Sequence, residues 1–169
     1  MQNWHLLMTK PRDDDRAQQH LLNQGYDIFR PLLKCHKLKK GRQVAVVESL
    51  FPRYIFIRLH QEFSDWASIR STRGVAGLVR FGEYPAVVPD DLVNEILNQV
   101  DEDTILDKTR IDPFVFRPGD QVMVGEGSFK GLQAIVKAQT SEERVIILLE
   151  MLGKTQALEM PIANLQPIT

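Results

Sequence analysis

The sequence predicts an α+β protein in two domains, and three observations carry that reading. The stretch ESLFPRYIFIRL, Glu48 to Leu59, alternates as a strand does. It places Ile55, Ile57 and Leu59 on one face and Tyr54, Phe56 and Arg58 on the other, so that two sides are apolar instead of one. Pro89-Asp90-Asp91 opens a helix on which Leu92, Val93, Ile96, Leu97 and Val100 form a stripe. From Asp101 to Arg117 no period holds, acidic residues crowd together and prolines close the segment, after which short strands and glycines take over. Residues 1–100 are therefore expected to form one domain, 101–117 a linker, and 118–169 a second, smaller domain.

Composition sets the outer limits. With 43% hydrophobic and 25% charged residues, the 169-residue chain has the make-up of an ordinary globular protein, not a disordered one. The net charge of -1 gives no global basic field, so any nucleic-acid binding must come from a local patch. Cys35 is the single cysteine, which excludes an internal disulfide and a cysteine-cluster metal site and fits a reducing compartment. No apolar run approaches the ~20 residues of a membrane span, and a cytoplasmic location is expected.

In chain order, Asn3 to Thr9 reads as a strand with Trp4, Leu6 and Met8 on one face. Asp13, Asp14 and Asp15 offer a cap and favourable charge to a helix that Gly25 ends, with Ala17, Leu21 and Leu22 inward. The opposite stripe, Arg16, His20, Asn23 and Gln24, suits either a solvated face or the reading of base edges. Tyr26 to Phe29, Pro31 to Leu38 and Gln43 to Val47 read as strands, the last two making a hairpin through Lys39-Lys40-Gly41-Arg42. Its Lys34, His36, Lys37, Lys39, Lys40 and Arg42 form the one local basic patch, which either binds an anion or keeps a sheet edge from aggregating.

Pro52 cannot donate to a ladder, so it is expected to begin the two-faced strand, which could also be an ordinary central strand buried on both sides. Ser64 caps a short helix over Asp65 to Arg70, and Val75 to Phe81 is a strand closed by Gly82. Toward the C-terminus, helical and strand periods compete. Gln121 to Val124 and Leu132 to Val136, set among Gly125, Gly127 and Gly131, suggest a small barrel. Yet Thr140 with Glu143 forms a capping box ahead of Val145, Leu148, Leu149 and Leu152 at helical spacing.

His5, His20, His36 and His60 are scattered without metal-ligand spacing, so no metal is expected. No phosphate-binding loop, dinucleotide fingerprint or nucleophile elbow follows a strand, so neither a cofactor nor an enzymatic activity is expected.

Trp4, Leu50-Phe51-Pro52-x-Tyr54-x-Phe56, Thr72-Arg73-Gly74-Val75 and Gly119-Asp120 to Val136 occur in an order that resembles the NusG family of transcription elongation factors. Arg73-Gly74-Val75 with Val79-Arg80-Phe81-Gly82 is most similar to its specialised RfaH branch. The resemblance implies an NGN-like N-terminal domain, with a mixed or antiparallel sheet flanked by helices, and a KOW-like C-terminal domain. It assigns Phe51, Tyr54, Phe56, Val93 and Ile96 to a surface that grips the clamp helices of the large subunit of RNA polymerase. In the free protein that surface would be covered by the C-terminal domain folded as a helical hairpin, held partly by a Glu48–Arg144 salt bridge. On release the hairpin would become a five-stranded barrel that recruits the ribosome. Lys10, Arg16, His20, Gln24, Thr72, Arg73 and Gly74 are implied to contact the non-template DNA strand at a pause element.

The implied function is that of a monomeric, sequence-specific antitermination factor that suppresses pausing. Asp65-Trp66-Ala67 departs from the His-Thr-Thr by which RfaH-type members touch the polymerase gate loop, and Asp13 stands where a neutral polar residue is usual. Two rivals remain: a general NusG-type factor without autoinhibition, and a KOW-containing ribosomal or RNA-binding protein.

Overall fold

A computed structural model describes residues 2–60, 66–107 and 128–159. Strand β1 (Gln2–Thr9) is central, pairing antiparallel with β5 (Tyr54–His60) from Gln2↔His60 to Met8↔Tyr54. On its other side it pairs with β6 (Val75–Leu78) and β9 (Val87–Val88), while β2 (Asp27–Phe29) lies outside β5. A second sheet joins β3 (Leu32–Lys39) and β4 (Arg42–Ser49) as a hairpin and adds β10 (Ile105–Asp107). Strands β7 (Arg80–Phe81) and β8 (Tyr84–Pro85) form a small hairpin of their own.

Both faces of the main sheet are covered. Ile55, Ile57 and Leu59 pack with Leu7 against α1 (Asp14–Asn23) and α2 (Trp66–Ser71) through Ala17, Leu21 and Ile69. Leu6 and Phe56 face the opposite core, with Leu92, Val93 and Ile96 of α3 (Asp90–Gln99) and side chains of α4 (Ser128–Lys137) and α5 (Ser141–Glu159). The period-two split of the organising stretch thus becomes two separate cores.

Several expectations need correction. ESLFPRYIFIRL is two strands in two sheets. Glu48 and Ser49 end β4, the chain bends through Leu50–Arg53, and β5 begins only at Tyr54. Pro52 therefore sits in a turn, closed by the Tyr54 N–H donating to the Phe51 carbonyl at 3.0 Å and by Arg53 at φ 73°. Val75 to Phe81 likewise breaks after Leu78, because β7 leaves the main sheet to pair with β8. Leu22 (49% exposed) and Leu97 (43% exposed) lie off the buried stripes of their helices. No side-chain cap bond forms at the start of α1; Asp14 instead accepts the Thr9 hydroxyl (2.7 Å) and the Arg53 N–H (2.8 Å), tying the helix to the bend.

The expected linker is ordered where it begins. The Asp101 carboxylate accepts the N–H groups of Asp103 and Ile105, and Ile105–Asp107 then pair parallel with Leu32–Lys34, burying Leu106 completely. Its remainder from residue 108, the expected strand Gln121 to Val124, Gly125, Gly127 and the capping residue Ser64 lie outside the described residues.

Of the competing C-terminal periods, the structure carries the helical one. Thr140 accepts the Glu143 N–H (3.2 Å) and the Glu143 carboxylate reaches back to the Gln139 N–H (3.0 Å), which starts α5. Leu132, Ile135 and Val136 of α4, and Leu148 and Leu152 of α5, are buried. No helix among the described residues is long and apolar enough to cross a membrane.

Candidate functional site

The bend before β5 and the stripe of α3 build one apolar surface. Phe56 is 1% exposed, stacked at 6.0 Å on Phe29 and edge-on at 5.8 Å to Phe51. Val93 and Ile96 are fully buried in the same cluster and Tyr54 packs half-buried at its margin. Leu132, Ile135, Val136, Leu148 and Leu152 belong to this cluster too, so the surface lies beneath the C-terminal helices. Trp4, Leu33, Cys35 and Leu106 are among its other members. Those four were missed as site residues because burial in a strand looks the same whichever element covers it.

Arg144, Leu148 and Leu152 recur every fourth residue and share one face of α5. Arg144, 3% exposed, places its guanidinium over three successive residues where β4 runs into the bend. Its Nη2 donates to Glu48 Oε1 at 2.8 Å and to the Ser49 carbonyl at 3.3 Å, and its Nε donates to the Leu50 carbonyl at 2.8 Å. The structure therefore brings Glu48 and Arg144 together. It adds two backbone acceptors that no sequence pattern marks. A planar five-donor fork suits such a site, whereas a lysine could not span it.

The other Glu48 oxygen accepts from Lys37 Nζ, so the carboxylate is held between two cations. Burial pushes the Glu48 carboxyl up, but the hydrogen bonds and charges of Lys37 and Arg144 outweigh it and hold the pKa below the ordinary glutamate value. A carboxylate depressed in the docked state contributes stability that is present above its ordinary pKa and lost as pH falls through the depressed one. Lys37 lies on the same hairpin whether or not α5 is docked, so the Arg144 share of the depression is what links to docking: acidification below the ordinary glutamate range should weaken docking of α5 by that share, and in Glu48→Gln that acid limb should vanish. Helical NMR shifts of α5 followed against pH check this.

The second group of predicted site residues lies around α1 and the turn after α2. Lys10, Arg16 and Arg73 are exposed and His20 is half-buried. Thr72, by contrast, is 6% exposed, and its hydroxyl donates to the Ser68 carbonyl (2.8 Å) while accepting the Gln24 amide (2.9 Å). It orients Gln24 and is not itself presented to solvent. Gly74 has φ 88°, and a Cβ there would meet Ala17 N at 2.9 Å and the Asp13 carbonyl at 3.1 Å. Its own carbonyl accepts the Lys10 N–H at 2.8 Å. Gly74 thus lets the turn carrying Arg73 lie against the start of α1. Gly74→Ala should cost about 1–3 kcal/mol through the left-handed backbone and the contact with α1, read as a lowered thermal midpoint.

Trp66 turns inward, edge-on to buried His5 at 5.5 Å. His5 Nδ1–H donates to the Ala86 carbonyl in the neutral tautomer, and burial lowers its pKa despite that bond.

This arrangement is an α+β domain whose apolar surface is covered by the chain's own C-terminal helices. Residues 2–97 match the family model described as "Transcription termination factor nusG", more than half of the chain, and the chain belongs to the NusG family. It is 21% identical to the transcription termination/antitermination protein NusG of Rickettsia prowazekii, covering 95% of this chain and 87% of that one. It is 22% identical to the Deinococcus radiodurans protein of the same name (95% and 96%) and 23% identical to that of Streptomyces coelicolor (96% and 62%). A solved structure titled "Domain interaction in Thermotoga maritima NusG" overlaps with a TM-score of 0.37 at 22% identity, covering 58% of this chain and 56% of that one.

Proposed function

We propose that the chain is a sequence-specific, RfaH-type antitermination factor that binds RNA polymerase at a pause site and suppresses pausing. The observation that carries this reading is the cover. Phe51, Tyr54, Phe56, Val93 and Ile96 lie in one apolar cluster with α4 and α5, fastened by a buried arginine at its rim. An apolar surface that a detachable segment hides in one state and a partner takes in another makes a switch, because only one of the two can occupy it. The partner assigned to it is the pair of clamp helices of the polymerase large subunit. In this reading the released C-terminal segment refolds into a five-stranded barrel that recruits the ribosome. The protein acts as a monomer, without a cofactor.

Lys10, Arg16, His20, Gln24 and Arg73, with Thr72 and Gly74 as their supports, are assigned to the non-template DNA strand. No gate-loop contact is included, since Trp66 packs on His5. Arg73→Ala and His20→Ala should lower recruitment to the specific pause site about tenfold while leaving affinity for polymerase alone unchanged, because base contacts specify and protein contacts anchor. Equal losses with and without that DNA would reject the assignment.

The names of the relatives favour a second reading, a general NusG-type factor without sequence preference. It predicts equal recruitment to every exposed non-template sequence.

A further inference from the structure

The segment that joins β4 to β5 is gripped from two sides. From one side Arg144 of α5 binds Glu48 and the carbonyls of Ser49 and Leu50. From the other, Arg30, which follows β2, donates from Nε (3.1 Å) and Nη2 (2.8 Å) to the hydroxyl oxygen of Ser49. The remaining arm of that guanidinium, Nη1, donates to Asp15 Oδ1 (2.6 Å) and Gln18 Oε1 (2.8 Å) of α1, and the next residue, Pro31, accepts the Leu50 N–H at 2.9 Å. At the far end of the bend Asp14 Oδ2, also on α1, accepts the Arg53 N–H at 2.8 Å. Ser49 is therefore reached by both arginines, by Arg30 through its side chain and by Arg144 through its backbone.

Ion pairing does not account for Arg30. The Asp15 side chain is 94% exposed, and a pair with so solvated a partner contributes little. Arg30 itself is only 12% exposed and directs most of its donors at the neutral oxygens of Ser49 and Gln18, where its planar fork fixes the placing of one against the other. The bend also holds Arg53 at φ 73°, a conformation that a side chain disfavours and that persists only where the surroundings enforce it. Its shape is imposed by what grips it, and two of those grips come from α1.

The buried residues of α1 and α5 belong to separate cores on opposite faces of the main sheet, so packing does not join them. We propose that Arg30 and Ser49 are positioning residues that couple the docking of α5 to the setting of α1. Arg30 fixes Ser49 against α1 and so holds the Ser49 and Leu50 carbonyls and Glu48 where the Arg144 guanidinium needs them. Coupling free energy is reciprocal, so loss of the Arg144 grip loosens the first turns of α1 in return. On the function proposed above, α1 carries Arg16, His20 and Gln24, and the joint would report the state of the cover to the residues assigned to DNA. The coupling itself does not rest on that reading, and its test involves neither DNA nor polymerase.

The test uses the intact chain, with amide hydrogen exchange read in α5 and at Ala17 and Gln18 of α1, beside global stability from denaturant unfolding. Arg30→Gln should speed exchange in α5 about fivefold or more, the lower end of coupling between protein sites. Ser49→Ala should do the same, and adding Arg30→Gln to it should change nothing further, because the joint is already gone. Arg144→Met should speed exchange at Ala17 and Gln18, and in the Ser49→Ala background it should not. Gln19→Ala, which removes an exposed bond to Asn23 on the same helix, should leave α5 exchange at the wild-type rate.

Three results would each overturn the proposal: wild-type α5 exchange in Arg30→Gln, additive effects of Arg30→Gln and Ser49→Ala, or unchanged exchange in α1 when Arg144 is replaced. An α5 effect no larger than the loss of global stability in the same variant would also overturn it, since Arg30 would then only hold the N-terminal domain together.

Discussion

Arg144→Met will release α5 from the N-terminal sheet. The substitution keeps a long side chain on the helix but removes every donor, leaving the Ser49 and Leu50 carbonyls without the bonds they accept from it and Glu48 with Lys37 as its one remaining cation among the described residues. Removing one partner of a fully buried pair costs about 3–5 kcal/mol. Here Glu48 is partly exposed and keeps a second cation, so about 2–3 kcal/mol is expected, a shift of roughly 30- to 140-fold toward the undocked state. Arg144→Lys keeps the charge but cannot span three acceptors and should fall between the two. Amide hydrogen exchange in α5 reads the effect directly. Protection in Arg144→Met equal to wild type would show that Leu148 and Leu152 hold the helix without the arginine.

Phe56→Ala will lower the stability of the whole N-terminal sheet, by about 3–5 kcal/mol, because its ring is enclosed by Phe29 and Phe51 at 1% exposure and the cavity left behind cannot fill from solvent. At the 2–4 °C per kcal/mol usual for chains of this size, a drop in thermal midpoint of about 10 °C follows. The same change therefore cannot by itself report on a partner. Tyr54 is the cleaner probe, since it lies half-buried at the edge of the cluster. Tyr54→Ala should leave the midpoint within a few degrees of wild type and still weaken polymerase binding by about 2 kcal/mol, the loss typical of an aromatic anchor at an interface. A Phe56→Ala protein that melted with wild type would mean its pocket collapses, and the packing described for it would be wrong.

What the sequence made legible follows from how far each signal reaches. Ile55, Ile57 and Leu59 separate from Tyr54 and Phe56 by parity alone, and Leu92, Val93 and Ile96 by helical spacing, so both were readable without a fold. The break at Pro52 was not. A proline that suits a strand's first residue suits a turn equally well, and Arg53 at positive φ gives no warning in its chemistry. Ile105–Asp107 are too few to show alternation and become a strand because β3 offers them an edge. Leu97 follows Ile96 on a helix whose buried face is narrower than its apolar one.

The C-terminal helices show the same limit at larger scale. Val145-Ile146-Ile147 favours a strand by propensity, and the capping box and leucines favour a helix. In the docked state the balance is set by the surface that receives Leu148 and Leu152, which no local window contains. The pairing of Glu48 with Arg144 came from family resemblance, and the carbonyls of Ser49 and Leu50 were invisible to it, since backbone acceptors leave no trace in side-chain identity.

That α4 and α5 hide a partner surface is the claim on which the proposed function rests, and the affinity for RNA polymerase of the intact chain beside a chain of residues 1–107 tests it most directly. The shorter chain keeps both sheets and α1 to α3 but exposes Phe51, Tyr54, Val93 and Ile96. It should bind at least about tenfold more tightly than the intact protein, and Tyr54→Ala should abolish the gain. Equal affinities for the two chains would mean that the cover hides nothing the polymerase needs, and would contradict the account.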